Sequence, residues 1–91
     1  MALVLVTFRI MPESVEVDLN VIEKEVSDLI VRFGGEIARS EKKPIAFGLL
    51  ALDLSFSLDE KNSNLDPLED QIRNVSGVES VQVIDVRRAV G

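Results

Sequence analysis

Three stretches of the chain alternate between hydrophobic and polar residues, the pattern of a strand with one buried face. They cover residues 2–11, 47–58 and 78–86. The first predicted strand ends at Met11-Pro12. Residues 36–41 are polar and weakly alternating, which is typical of an edge strand leading through Lys42-Lys43-Pro44 into the next element. We therefore expect four strands.

Two further segments carry apolar residues at helical spacing. The first has Asp18 as its expected N-cap and stops at Gly34-Gly35. The second begins with Asp66-Pro67-Leu68-Glu69, in the order N-cap, proline at the first helical position and capping-box glutamate, and ends at Ser76-Gly77. The order βαββαβ predicts an α+β, ferredoxin-like split βαβ fold, with a four-stranded antiparallel sheet in the order 4-1-3-2 and two helices on one face.

This topology places the turn near Pro44 at one end of the sheet and both chain termini at the other, so a partner that touches both ends must span the domain.

The third strand has one deeply buried face, formed by Leu50 and the residues that share its parity. In the last strand the alternation slips at Val83-Ile84. Either a bulge or a strand apolar on both faces explains this slip.

The segment from Lys42 to Leu49 is the most informative local feature. Two cations and Pro44 precede Phe47, and proline restricts both its own φ and the backbone of Lys43. A stiff turn loses little entropy on docking, which favours a contact surface over catalysis. In the third predicted strand, Phe47 has the opposite parity to Leu50 and so points away from the buried face. We therefore expect it on the helix-free face or at the rim of the sheet, together with Leu3, Leu5, Leu49 and Ala51. An apolar patch of that size is typical of association.

Composition excludes several kinds of chemistry. The 91 residues fit one domain, residues 1–91, and include neither cysteine nor histidine, which excludes disulfides, thiolate zinc sites and imidazole bases. The formal charge of −6 disfavours direct binding of nucleic acid. The apolar start at residues 2–6 is too short for a membrane span, so we expect a cytoplasmic protein with no membrane partner.

The remaining candidate sites are weak as catalysts. The glycines form no phosphate-binding pattern, and the acid pairs Asp59-Glu60 and Glu69-Asp70 are explained by capping and solvation. We expect no catalytic residue, no cofactor, no metal and no nucleotide bound by this chain. Arg87-Arg88 lies at the end of the last predicted strand; such a pair is often only solvated, but cations on a short tail also reach phosphate or metal sites on other proteins.

Three segments carry a resemblance to the archaeal translation elongation factor 1-beta family. They are Met11-Pro12-Glu13-Ser14, the more specific block Pro44-Ile45-Ala46-Phe47-Gly48-Leu49, and Val83-Ile84-Asp85-Val86-Arg87-Arg88. The resemblance covers essentially the whole chain. It implies the ferredoxin-like fold and a guanine nucleotide exchange factor for elongation factor 1-alpha, the GTPase that delivers aminoacyl-tRNA, acting by binding and not by bond chemistry.

The resemblance also implies two contact regions. Phe47, with Lys43, Pro44 and Ile45 beside it, would touch one domain of the GTPase, and the C-terminal residues Arg87, Arg88, Ala89, Val90 and Gly91 would lie near the magnesium of the nucleotide. Eukaryotic members carry a lysine near the extreme C-terminus, where this chain has Gly91. Either Arg87 or Arg88 substitutes for that lysine, or exchange proceeds through displaced switch backbone alone.

Two rival hypotheses share the predicted fold. A ferredoxin-like regulatory or dimerisation module that binds a small molecule is the first, since residues 77–81 also resemble the turn and strand of that class, and it predicts a stable dimer. An RNA-recognition module is the second. It needs stacking aromatics on the central strands, and this acidic chain offers only Phe47 and Phe8. Fold alone does not separate these hypotheses.

Overall fold

A computed structural model describes residues 2–62 and 64–89 and confirms the predicted order of elements. The four strands form one antiparallel sheet in the order β2-β3-β1-β4, which is the predicted order. The elements are β1 (Leu3–Pro12), α1 (Leu19–Phe33), β2 (Glu36–Pro44), β3 (Leu50–Asp59), a 3₁₀ turn (Glu60–Asn62), α2 (Asp66–Arg73) and β4 (Val78–Ala89). The fold is the ferredoxin-like α+β arrangement.

The strand register fixes the two ends of the domain. At one end, Leu3 lies opposite both Asp59 of β3 and Ala89 of β4. At the other end, Pro44 lies opposite Leu50, and the turn between β2 and β3 extends beyond this pair. The longest dimension of the molecule is 41 Å. The turn therefore lies at one end of the sheet, and Leu3 and Ala89 lie at the other end, where the sequence predicted the chain ends.

The core lies between the helices and the side of the sheet that faces them. The rings of Phe8 and Phe56, from neighbouring strands, have centroids 5.1 Å apart and planes at 66°, an edge-to-face contact. The other large side chains that are fully buried in this core are aliphatic: Val6, Ile10, Ile22, Val26, Ile30, Leu52, Leu54, Leu58, Leu68 and Ile72. This one layer holds α1 and α2 against the sheet.

Helix α1 begins and ends as predicted. The Asp18 carboxylate accepts a hydrogen bond of 2.9 Å from the Asn20 backbone N–H, and Gly34 adopts a left-handed φ of 105° while its N–H bonds the last carbonyls of the helix. None of the helices within residues 2–62 and 64–89 is long and apolar enough to cross a membrane.

Both predicted ends of α2 were wrong. The N-cap is Leu65, since Asp66 is already helical, and its side chain makes no capping hydrogen bond, so the capping box does not form. The Asn64 Oδ1 accepts from the Asp66 N–H at 3.3 Å instead. The helix ends at Arg73. Its C-cap Asn74 bonds back to the helix through its N–H, and its side-chain amide bonds the Asp70 carbonyl at 3.0 Å. These bonds satisfy the helix end before the predicted stop at Ser76-Gly77.

The predicted strand boundaries also needed correction. Strand β2 continues to Pro44, and β3 begins at Leu50 instead of residue 47, because the intervening residues close a turn. Strand β4 extends past residue 86 to Ala89, since β1 offers it partners as far as Leu3. The slip in β4 is a bulge: Thr7 lies opposite Asp85 and Phe8 opposite Val83, so Ile84 is the extra residue.

Candidate partner-binding site

Residues 46–49 form the tight turn that joins β2 to β3. The Leu49 N–H donates to the Ala46 carbonyl at 2.9 Å, and the Ile45 N–H donates to the Leu49 carbonyl at 2.9 Å. The two central residues, Phe47 and Gly48, have positive φ values of 54° and 78°. Turns with two positive φ values match the twist of a hairpin, but the first position normally holds asparagine, aspartate or glycine.

Phe47 combines two features that are unfavourable in the free protein. It is the one non-glycine residue with positive φ among residues 2–62 and 64–89, a conformation that is rare for a bulky side chain. Its side chain is also 98% exposed, so the ring makes almost no contact that offsets the backbone strain. Strain and exposure at the same residue point to a contact outside the chain.

The other predicted residues of this region lie in or next to the same turn. Pro44 ends β2 and Ile45 follows it with its side chain half-exposed. The Nζ of Lys43 lies 2.8 Å from the Glu41 carboxylate, and this hydrogen bond is the main reason that the pKa of Glu41 is lowered. The structure therefore places Lys43, Pro44, Ile45 and Phe47 in one region at the end of the sheet.

Two apolar residues beside the turn were missed by the sequence analysis. Val15, in the loop between β1 and α1, is 63% exposed. Leu50 was expected inside the core but is 41% exposed, since it is the first residue of β3 and lines an open cleft beside Leu19. The signal for Val15 was present in the sequence, because Val15 and Val17 are the two apolar residues in the otherwise polar connection between Pro12 and Asp18.

The helix-free face of the sheet does not carry the predicted apolar patch. Its centre is polar: the Nε and Nη2 of Arg9 each lie 2.9 Å from an oxygen of Asp53. These hydrogen bonds, and the charge of Asp53, raise the pKa of Arg9. Ala51 is fully buried, and Phe47 is outside the strand whose parity placed it here. The alternation in the sequence predicted the five apolar residues on one face, but polar side chains occupy the centre of that face.

At the opposite end, the predicted cationic tail is part of β4. Arg87 lies opposite Leu5 and its Nε is 2.8 Å from Asp85, whereas Arg88 lies opposite Val4 on the other face of the sheet. The Nη2 of Arg88 donates to Glu60 at 2.9 Å. The two arginines therefore point to opposite faces and each has a carboxylate partner.

The C-terminal contact region can be followed as far as Ala89, whose backbone pairs with Leu3. The predicted contact residues Val90 and Gly91 lie outside the described residues. The acid pairs have local structural roles, since Asp59 accepts from the Lys61 N–H at 3.0 Å and Asp70 pairs with Arg73 at 2.5 Å.

Residues 5–89 match the model of the EF-1 guanine nucleotide exchange domain. The chain belongs to this family. It is 35% identical over 85 residues to elongation factor 1-beta of Methanothermobacter thermautotrophicus, covering 93% of this chain and 94% of the relative. It is 38% identical over 89 residues to elongation factor 1-beta of Staphylothermus marinus, covering 97% and 98% of the two chains. The resemblance inferred from the sequence motifs is therefore confirmed.

Two solved structures with a similar fold belong to other kinds of protein. The ACT domain from GTP pyrophosphokinase of Chlorobium tepidum matches with a TM-score of 0.61 at 21% identity, covering 88% of this chain and 96% of that one. The C-terminal domain of the MgtC protein from Mycobacterium tuberculosis matches with a TM-score of 0.67 at 11% identity, covering 96% and 88%. At these identities the matches show a shared fold and no shared activity.

Proposed function

We propose that this chain is a guanine nucleotide exchange factor that promotes release of GDP from elongation factor 1-alpha, so that GTP can bind again. Membership of the exchange-domain family supports the reaction. The observation that carries the contact is Phe47, an almost fully exposed aromatic held at positive φ on a tight turn. Such a residue is suited to fill a pocket on a partner, where aromatic anchors contribute most of the binding energy.

The proposed mechanism requires no bond chemistry by this chain. The exchange factor binds the nucleotide-free GTPase more tightly than the GDP-bound form, and by reciprocity it lowers the affinity for GDP by the same factor. A coupling of about 4 kcal/mol weakens GDP binding roughly a thousandfold. Abundant GTP then occupies the emptied site. The cytoplasm, where the GTPase meets aminoacyl-tRNA, is the proposed location.

The two-ended shape supports a contact with two parts of the partner. Phe47 and the β4 end lie at opposite ends of a molecule 41 Å long. A rigid antiparallel sheet joins the two ends, so docking of Phe47 sets the position of Arg87 and Arg88 on the partner. Residues 43–47 are proposed as one contact and residues 87–91 as the other.

Two routes remain for the second contact. In the first, Arg87 or Arg88 leaves its carboxylate partner and disturbs the charge balance around the magnesium and phosphates of the GTPase. In the second, the end of β4 displaces backbone of the GTPase without a cation entering the site. The double change of Arg87 and Arg88 to alanine separates them, because it removes the first route and leaves the strand in place.

The test is release of a fluorescent GDP analogue from elongation factor 1-alpha of the same source. We expect strong acceleration by the wild-type chain and a large loss with Phe47→Ala. The matched control is Val31→Ala, which removes an exposed apolar side chain from α1, away from the Phe47 turn. No acceleration of an active GTPase would contradict the proposal and favour the regulatory-module alternative, whose predicted stable dimer is detected by light scattering.

A further inference from the structure

A cleft opens between the Phe47 turn and the loop that joins β1 to α1. Its volume is about 200 Å³. Most of its lining is apolar (Pro12, Val15, Val17, Leu19, Gly48 and Leu50), and Ser14, Asp18 and Lys42 are its polar members. Cavities of roughly 150 Å³ hold a molecule the size of benzene. The cleft is thus large enough for one apolar side chain from another protein.

The cleft is continuous with the surface that presents Phe47. Gly48 directly follows Phe47, and a Cβ atom at Gly48 would lie only 3.9 Å from the Cγ1 of Val15. Ile45 and Leu50, on the two flanks of the turn, are both partly exposed. A protein surface that encloses the Phe47 ring must therefore also cover Gly48 and approach Val15.

Lys42 defines the chemistry at the rim of the cleft. Its Nζ donates to the neutral Asn20 side chain at 2.7 Å. Among residues 2–62 and 64–89 no carboxylate lies within ion-pair distance of this ammonium group, although Glu41 pairs with Lys43 nearby. The other charged group of the cleft is Asp18, whose Oδ1 accepts from the Asn20 N–H at 2.9 Å at the start of α1. A partner carboxylate placed on the Lys42 side of the cleft would therefore meet an ammonium group that has no ion-pair partner within the described residues.

We propose that the partner docks on this end of the domain through a two-way exchange of side chains. Phe47 enters a pocket on the partner, and an apolar side chain of the partner, flanked by a carboxylate, enters the cleft between Val15 and Leu50. This inference rests on the proposed function, because the partner is the same GTPase. It adds the β1–α1 loop as a third binding element, beside residues 43–47 and residues 87–91.

The test compares Val15→Asp with Val31→Asp in the GDP-release assay. The two valines have similar exposure, 63% and 58%, so neither change is expected to disturb folding, which thermal unfolding checks. We expect Val15→Asp to raise about tenfold the concentration of this chain that gives half-maximal acceleration of GDP release, with the maximal rate of release unchanged. Val31→Asp should behave as wild type, and Lys42→Ala should weaken binding most at low salt.

Methyl resonances give a readout that does not depend on exchange. In a chain with labelled valine and leucine methyl groups, addition of the GTPase should shift or broaden the signals of Val15 and Leu50 and leave those of Val31 unchanged. If the wild type accelerates GDP release and Phe47→Ala reduces it, but Val15→Asp matches Val31→Asp, the cleft is not a binding element and the proposed function still stands. If the wild type gives no acceleration, the proposed function itself fails.

Discussion

The guanidinium of Arg88 donates a hydrogen bond to the carboxylate of Glu60, with Nη2 2.9 Å from Oε2. The backbone N–H of Glu60 also donates to the Ala2 carbonyl at 3.0 Å, so this residue joins the end of β4 to the start of the chain. Both charged side chains are largely open to water, at 70% and 44% exposure. Ion pairs of this kind contribute about 0 to 1 kcal/mol, and Arg88 can therefore leave Glu60 easily when a partner offers phosphates.

The first prediction concerns this pair. Glu60→Gln should change the free energy of unfolding by less than about 0.5 kcal/mol, because the pair is exposed. If Arg88 acts on the GTPase, Glu60→Gln should lower about threefold the concentration of this chain that gives half-maximal acceleration of GDP release. Arg88→Ala should raise that concentration by a similar factor. Asp85→Asn frees Arg87 on the other face of the sheet and tests that arginine in the same way. Unchanged release in both Glu60→Gln and Arg88→Ala would exclude Arg88 as the acting cation.

The second prediction separates stability from binding at Phe47. Because the ring makes almost no internal contact, Phe47→Ala should alter the free energy of unfolding by less than about 0.5 kcal/mol. Phe47→Gly should be more stable than Phe47→Ala, by up to about 1 kcal/mol, since glycine adopts positive φ without a Cβ clash. Both variants should lose exchange activity to the same extent. Urea unfolding measures the first quantity, and a loss above 1 kcal/mol in Phe47→Ala would mean that the ring packs within the free protein.

The third prediction concerns the junction between α1 and β2. A Cβ atom at Gly35 would lie 2.7 Å from the Cγ2 of Ile30 and 3.2 Å from the ring of Phe56. Both neighbours are buried core residues, so the added methyl group must displace the helix from the sheet. Gly35→Ala should lower the free energy of unfolding by about 1 to 3 kcal/mol.

Gly34→Ala is the comparison for this junction. It acts through backbone strain at φ 105° and should reduce stability by about 1 kcal/mol. Space at Gly34 is sufficient, because the nearest atom to an added Cβ, on the Asn62 side chain, is 3.5 Å away. Equal stability of Gly35→Ala and the wild type in thermal unfolding would show that the helix packs less closely than the structure indicates.

The fourth prediction is a pH dependence. The pKa of Glu41 in the folded chain lies below its ordinary value of 4.5, chiefly because Lys43 donates to it, with Arg39 also contributing. Glu41 therefore binds a proton less readily in the folded state than in the unfolded state. Its carboxylate stabilises the fold fully above pH 4.5, and this stabilisation is lost as the pH falls through the folded pKa.

Urea unfolding of the wild type and of Glu41→Gln measures this contribution. The wild type should be the more stable of the two at about pH 7, and the difference should shrink as the pH is lowered through the folded pKa of Glu41, because the carboxylate then becomes protonated in both states. Glu36→Gln is the control, since Glu36 is exposed at the other end of β2. A difference that grows on acidification would contradict the assigned direction.

Local patterns were sufficient for much of the fold. Alternation along β1 and β3, helical spacing along α1, and the caps at Asp18 and Gly34 are properties of neighbouring residues, and each was confirmed. The strand order followed because short connections and right-handed crossovers leave few arrangements of βαββαβ. The grouping of Pro44, Ile45 and Phe47 in one turn could also be predicted, because these residues are neighbours in the chain.

Tertiary contacts decided what the patterns could not. The bulge at Ile84 depends on pairing with β1, a strand more than 70 residues away in the chain, and the length of β4 depends on partners as far as Leu3. The positive φ of Phe47 results from the closure of a hairpin between β2 and β3.

The candidate site shows the same division. The sequence by itself determined the family motifs, the stiff turn and the cations near the C-terminus, since these are runs of adjacent residues. Only the tertiary structure paired Arg88 with Glu60 and brought Val15 beside Gly48, because each pair is distant in sequence and meets only when the sheet closes. The cleft lies between two loops that are distant in the chain and are brought near each other by packing, and so it could be found only in the folded protein.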